Sequence, residues 1–286
     1  MKNDRPLDAR STWAEACLGL ASRGAGAALL AFLALPIIAL VLGGGAGVGA
    51  GGGFVAGLRN PAVLPTLMLS LGTTVFSLVL VVALGTPLAW WLARPTGRLR
   101  AAAELFVQLP IIAPPAVAGL ALLLAFGRRG LVGPVLAWGG VQLTFTTAAV
   151  VMAQVFVSAP FYVQTAAVTF AAVDAEAQEV ARTLGASPMR VFFQVVVPGA
   201  RAGLTAGAAL SWARALGELG ATLMFAGNLP GRTQTLPLAI YTALESDLDA
   251  ARSLSIVLVV VALGLLIALR GTARFAVANN ARRLSS

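Results

Sequence analysis

DAEAQEVARTLGASPMRVFFQVVVP, residues 174–198, is a polar island between two long apolar segments, and the fold follows from what it is. Ala177, Val180, Ala181 and Leu184 fall at helical spacing on one face, with Glu176, Glu179, Arg182 and Thr183 elsewhere. The first half therefore reads as an amphipathic helix. Gly185 ends it, because glycine takes the left-handed position after a helix without a steric penalty. Ser187-Pro188 opens a second helix, with a serine cap and a proline at the first helical position, where a missing N–H is harmless. Pro198 is expected to end that second helix. The whole is helix, tight turn, helix, set on the surface of a membrane.

The membrane follows from the flanks. Of 286 residues, 58% are hydrophobic and only 11% charged, and the mean hydropathy is +0.88. A soluble domain of this length does not carry so little charge. Outward from the island, residues 144–170 and 199–226 read as the fourth and fifth spans. Residues 24–42, 64–92 and 101–126 read as the first three, and 253–269 as the sixth. The run 24–42 exceeds a signal-peptide core, so it is read as a span. Residues 1–23 and 271–286 read as polar tails, and GGGAGVGAGGG at 43–53 as a flexible external loop without chemistry. Residues 227–249 read as a polar external segment.

An even number of crossings places both termini on one side. Assigning the tails, the 94–100 loop and the 174–201 region to the cytoplasm collects 14 basic residues there, against 5 in the opposite loops. That bias favours both termini inside and puts the polar island in the cytoplasm. The net charge of +9 is dispersed between apolar runs, so it sets topology and does not form a nucleic-acid patch.

Absences narrow the chemistry. The chain has no histidine, one cysteine (Cys17) and one lysine (Lys2). Catalytic triads, Cys/His metal sites, disulfides and a P-loop are excluded, and no cofactor is expected. Any ATP hydrolysis belongs to another chain.

Two intramembrane features remain. Pro110, Pro114 and Pro115 lie within one span, where they free carbonyls and bend the segment. A broken backbone survives in a bilayer only where protein or an aqueous cavity satisfies it, so the bend either lines a pathway or serves packing. Arg214 and Glu218, four apart in the fifth span, are expected to share a helix face. The pair is either glue between helices or an anion site, with Arg214 attracting an oxyanion and Glu218 orienting it. Thr222 adds a hydroxyl, or bonds its own backbone.

Residues 179–198 resemble the EAA loop of ABC-importer permeases: Glu179-Val180-Ala181, Gly185, then Val195-x-Val197-Pro198. Val180 stands for the middle alanine and valines for the family's Ile and Leu. Ser211 to Thr222, SWARALGELGAT, is similar to the corresponding segment of molybdate permeases, with Leu219 where that family has Phe. The resemblance continues through Asn228 to Tyr241, and in 109–130, covering about residues 64–270.

The resemblance implies an all-α integral membrane protein of six transmembrane helices in the type 1 ABC-importer fold. It implies a permease homodimer in the cytoplasmic membrane, surrounded by lipid. Two cytosolic ABC ATPases would dock on Glu179, Ala181, Gly185 and Pro198, and an external molybdate-binding protein would deliver the anion. Sulfate and tungstate permeases share these motifs. The competing class is a stand-alone secondary anion transporter, which needs midplane acidic residues or an internal repeat. Glu218 is the only acidic candidate deep in a span, and no inverted repeat is evident.

Overall fold

A computed structural model describes the backbone of residues 9–42, 63–94 and 97–284, with side chains described between 22 and 268. The glycine tract at 43–53 lies outside the described residues. Every regular element among those described is helical.

The first helix, α1, runs Ala9–Leu42, so it begins well before the expected span at 24. Nothing in residues 9–23 breaks a helix: Gly19 is the only glycine there before Gly24, and there is no proline. The second, α2, runs Val63–Leu92. The expected third span is two helices, α3 (Arg98–Ile112) and α4 (Pro115–Phe126), bent by 118° at the break. Pro114 and Pro115 account for the break. Neither supports a helix through Ala113, and Pro115 sits where a helix starts without its N–H. Pro110, by contrast, lies inside α3.

A short α5 (Gly133–Trp138) precedes α6 (Thr147–Ala171), whose Thr146 cap accepts a hydrogen bond from the Ala149 N–H. The polar island forms α7 (Ala175–Thr183) and α8 (Pro188–Val191). Pro198 does not end the second helix, which is a correction to the sequence reading. A single π turn, Phe192–Val196, links α8 to α9 (Val197–Leu216) without a break. The Val197 N–H reaches back five residues to the Phe192 carbonyl. That wider turn leaves room for the Pro198 ring, which in a tight α turn meets the carbonyl four residues back.

The expected fifth span is also broken. Helix α9 stops at Leu216, and α10 (Gly220–Ala226) restarts after Gly217-Glu218-Leu219. The segment 227–249 is not irregular: it holds α11 (Leu236–Leu244), with Leu236 and Leu238 fully buried. The last helix, α12, runs Leu248–Leu284 and continues through the expected C-terminal tail. Among the described residues, five helices are long and apolar enough to cross a membrane, and the bent pair α3–α4 makes a sixth when taken as one crossing.

The centre of the bundle is α6, packed between α2 and α9. Its contact with α9 is set by glycines at every fourth position. A Cβ on Gly203 falls onto the Thr169 side chain, one on Gly207 lies 3.0 Å from Thr165 Cβ, and one on Gly199 lies 3.4 Å from Val173. Small residues at this spacing let two backbones approach where lipid supplies no hydrophobic drive. Across the other face, Ser77 Oγ donates to Gln154 Oε1 at 2.9 Å, and the Gln154 amide donates to Thr73 Oγ1 at 3.2 Å. These groups are buried, so their bonds remove the cost of polar atoms in an apolar interior. Helix α1 touches chiefly α12, where Arg252 donates to the Leu40 and Val41 carbonyls at 2.9 and 2.8 Å. Those carbonyls close a helix end and have no partner of their own.

Candidate functional site

The first region is the element 174–198. Asp174 caps α7, its side chain accepting the Glu176 N–H at 2.9 Å. The helix closes on a left-handed Gly185, φ +84°. The Gly185 N–H donates to Arg182 O at 2.9 Å and the Ala186 N–H to Ala181 O at 3.0 Å. This pair of back-bonds satisfies the last carbonyls and fixes the turn. Ser187 then caps α8, accepting the Arg190 N–H at 3.4 Å. Each bond is local, so the element keeps its shape with little support from elsewhere.

Its apolar face is not filled by this chain. Leu184 is 82% and Val180 52% exposed, while Ala181 is half-buried against the bundle. Glu179 is exposed and lies 3.7 Å from Arg182. Gly185 and Pro198 are exposed as well. Val180 and Leu184 thus stand exposed on a capped helix outside the long apolar helices.

The second region is the pair of breaks, and the structure brings them together. A Cβ on Gly220, the first residue of α10, would lie 2.6 Å from Pro115 Cβ at the start of α4. One turn on, a Cβ on Gly119 would lie 2.9 Å from Ala221 Cα. The two short helices are thus in backbone contact from their first residues. Pro114 and Pro115 remain exposed at the break.

Arg214 and Glu218 flank the end of α9 and do not lie along one helix face, which corrects the sequence reading. Arg214 Nη1 is 2.6 Å from Glu218 Oε2, and Glu218 Oε1 accepts the Ala221 N–H at 2.7 Å. The carboxylate therefore holds both halves of the broken span. It is 1% exposed, against 27% for the Arg214 side chain. Thr222 is fully buried, and among the described residues its hydroxyl has no hydrogen-bond partner, neither its own backbone nor Glu218. The stretch WARALGEL hides the break, because most of its residues favour helix and only Gly217 signals a stop.

The two regions are far apart but mechanically joined. From Pro198 to Arg214 the chain is one unbroken helix, about 24 Å long at 1.5 Å per residue. Among the described residues no cluster of acidic, cysteine or histidine side chains is suited to a metal ion.

Residues 85–275 match the family described as the inner membrane component of binding-protein-dependent transport systems. That stretch holds both breaks and the capped element. The chain belongs to this family. The permease is 46% identical over 209 residues to the molybdenum transport system permease protein ModB of Mycobacterium tuberculosis, covering 73% of this chain and 79% of that one. It is 36% identical over 239 residues to the probable transport system permease protein NifC of Clostridium pasteurianum, covering 83% and 82%. In fold the permease is similar to a chain of a bacterial ABC transporter involved in import of the polysaccharide alginate. The TM-score is 0.72 at 16% identity, over 93% of this chain and 96% of that one. The architecture is that of a type 1 ABC-importer permease, a multi-pass protein of the inner membrane.

Proposed function

We propose that the permease carries molybdate inward as a homodimer, driven by two cytosolic ATPases and supplied by an external binding protein. The observation that carries this reading is the exposed, self-capped element 174–198 at one end of an unbroken helix whose other end is the Arg214–Glu218 break. An ATPase that grips Val180 and Leu184 moves α9 as a rod, and the rod ends where two helices are already interrupted.

Glu179, Ala181, Gly185 and Pro198 form the coupling element in this reading. Glu179 offers a charge on its surface, Ala181 seats it on the bundle, Gly185 sets its tight turn, and Pro198 marks where its second helix passes through the π turn into α9. Arg214, Glu218, Thr222, Pro114 and Pro115 form the pathway end. The partly exposed Arg214 guanidinium suits an oxyanion, because its planar fork binds two oxygens. Helix α4 also starts at this break, and the positive end of its dipole favours an anion. With an empty site, Glu218 neutralises the arginine. A loosely held anion leaves readily, which transport requires.

The energy source is ATP binding and hydrolysis in the separate chain, whose differential affinity for two permease states shifts the equilibrium between them. This chain performs no covalent chemistry. Molybdate is favoured because relatives at 46% and 41% identity bear the name of molybdenum permeases.

The test is uptake of labelled molybdate by cells carrying the permease, its ATPase and its binding protein, with the ATPase P-loop lysine intact or replaced. Loss of uptake with that lysine, without competition from excess sulfate, is the expected result. Competition by sulfate or tungstate moves the substrate to another tetrahedral oxyanion. Uptake indifferent to the ATPase variant overturns the ATP-driven reading in favour of a secondary transporter.

A further inference from the structure

Between α2 and the coupling element, whose own residues form one wall, the permease has a groove of about 640 Å³ that the pathway does not use. One side is the cytoplasmic end of α2, with Val82, Pro87 and Trp90, and the other is the α8–π turn, with Phe192. Arg94 and Arg182 also line it.

The geometry points to an acidic phospholipid of the inner leaflet as the occupant of this groove, with its phosphate between Arg94 and Arg182 and an acyl chain against Val82, Pro87, Trp90 and Phe192. The assignment rests on the reading that places 174–198 in the cytoplasm. Three observations support it.

The groove has the right length and polarity gradient. From Val82 to Arg94 along α2 and its last turn is about 18 Å at 1.5 Å per residue. That reaches from the hydrocarbon to the headgroup level of a leaflet. Along the α2 wall the apolar residues are at the deep end and Arg94 at the shallow end. Trp90 and Trp91 mark the boundary, where indole rings prefer to sit.

The charge is complementary. Arg94 lies over the Trp90 ring at 5.5 Å, an arrangement that holds its guanidinium at the groove without using its hydrogen-bond donors. Arg182 faces Glu179 at 3.7 Å, with both side chains more than half exposed. A pair of that kind is weak and leaves Arg182 able to accept a phosphate. Basic pockets between transmembrane helices on the cytoplasmic side suit anionic headgroups for this reason.

The groove is also framed by rigid walls. Trp90 meets Phe170 edge to face and Phe192 lies tilted against both, with centroids 5.3–6.0 Å apart. The site therefore exists before the lipid arrives, and filling it braces the π turn that joins the coupling element to α9.

The experiment uses the full permease–ATPase complex in nanodiscs of phosphatidylcholine containing a minority of phosphatidylglycerol. Native mass spectrometry counts retained lipid, and brominated phosphatidylglycerol reports proximity through tryptophan quenching. The intact complex should retain phosphatidylglycerol selectively. Arg94→Gln should weaken retention roughly fivefold, the effect of one basic residue at a charged surface. Ala83→Phe, which fills the groove without touching charge, should abolish it. Arg100→Gln, outside the groove and over Trp91 at 5.6 Å, should leave it unchanged.

Equal retention in the Arg94→Gln and intact complexes overturns the assignment. So does retention by the isolated permease that disappears on ATPase binding, since the ATPase then fills the groove. Molybdate uptake is scored separately, so failure of the lipid site and failure of the transport reading give different patterns.

Discussion

Arg214 and Glu218 meet at 2.6 Å across the end of a helix, and the same carboxylate caps the next helix through the Ala221 N–H at 2.7 Å. One buried side chain thus joins three things: a cation, the last turn of α9 and the first turn of α10. A pair placed only as glue between neighbouring helices would bond across helices. This one bonds across a gap in a single span, where Pro115 of the other broken span abuts Gly220. The arrangement places a buried ion pair at the joint between α9 and α10.

Arg214→Ala should cut uptake by about tenfold or more, the change that a rise of roughly 1.4 kcal/mol in the slow step produces. It should also reduce thermal stability, because it strands a carboxylate that is 1% exposed. Breaking a buried pair by removing one partner costs on the order of 3–5 kcal/mol. Arg214→Ala/Glu218→Gln should recover stability but not uptake. Normal uptake by a stable double variant would exclude Arg214 from the pathway.

Gly185→Asp and Gly185→Ala should weaken ATPase docking. The turn holds φ at +84°, which costs a residue with a Cβ roughly 1–2 kcal/mol. Docking should fall by about 5–30-fold if that strain is paid on assembly. Glu179→Ala should act in the same direction but less, since Glu179 is exposed and its pairing with Arg182 is weak. The measurement is the amount of ATPase that co-purifies with each variant, and full retention in all three would remove these residues from the coupling element.

The local chemistry of this element and the proline break of the third span were legible in the sequence; the size of that bend and the interruption of the fifth span were not. Gly185, Ser187 and Pro188 act on bonds within a few residues, so their spacing announces the turn and the caps. The 118° bend at 113–114 depends on how α4 packs against α10, which no spacing reveals. The interruption at 217–219 depends on a buried carboxylate replacing helix bonds. Pro198 misled for a related reason: a proline stops an α turn, and here a π turn precedes it. Two further features are written in the sequence. Gly199, Gly203 and Gly207 recur at every fourth position, the pattern of close helix packing. Thr235 followed by Leu236-Pro237 is a helix start within the polar segment 227–249.

Gly203→Val should destabilise the bundle more than any glycine change on an open face. Its Cβ falls onto Thr169, so α6 and α9 must separate to admit it. Overpacking of this kind typically costs about 1–3 kcal/mol. Gly264→Val is the control, since a Cβ there meets nothing within 4 Å. The midpoint of thermal unfolding in detergent should drop for Gly203→Val and hold for Gly264→Val. Equal midpoints would mean that the glycine stripe does not set the helix separation.

Whether the joint needs close packing or a flexible glycine can be decided by three alanines. Gly220→Ala places a Cβ at 2.6 Å from Pro115 Cβ, and Gly119→Ala places one at 2.9 Å from Ala221 backbone atoms. Both force α4 and α10 apart. Gly217→Ala meets only the Ala213 carbonyl, at 3.7 Å, and its φ of −87° suits any residue. If apposition of the two breaks is what transport needs, the first two variants should lose uptake while retaining the ATPase, and Gly217→Ala should transport normally. Loss of uptake in Gly217→Ala alone would instead show that α9 must bend at its end during each cycle, with the Arg214–Glu218 pair resisting that bend.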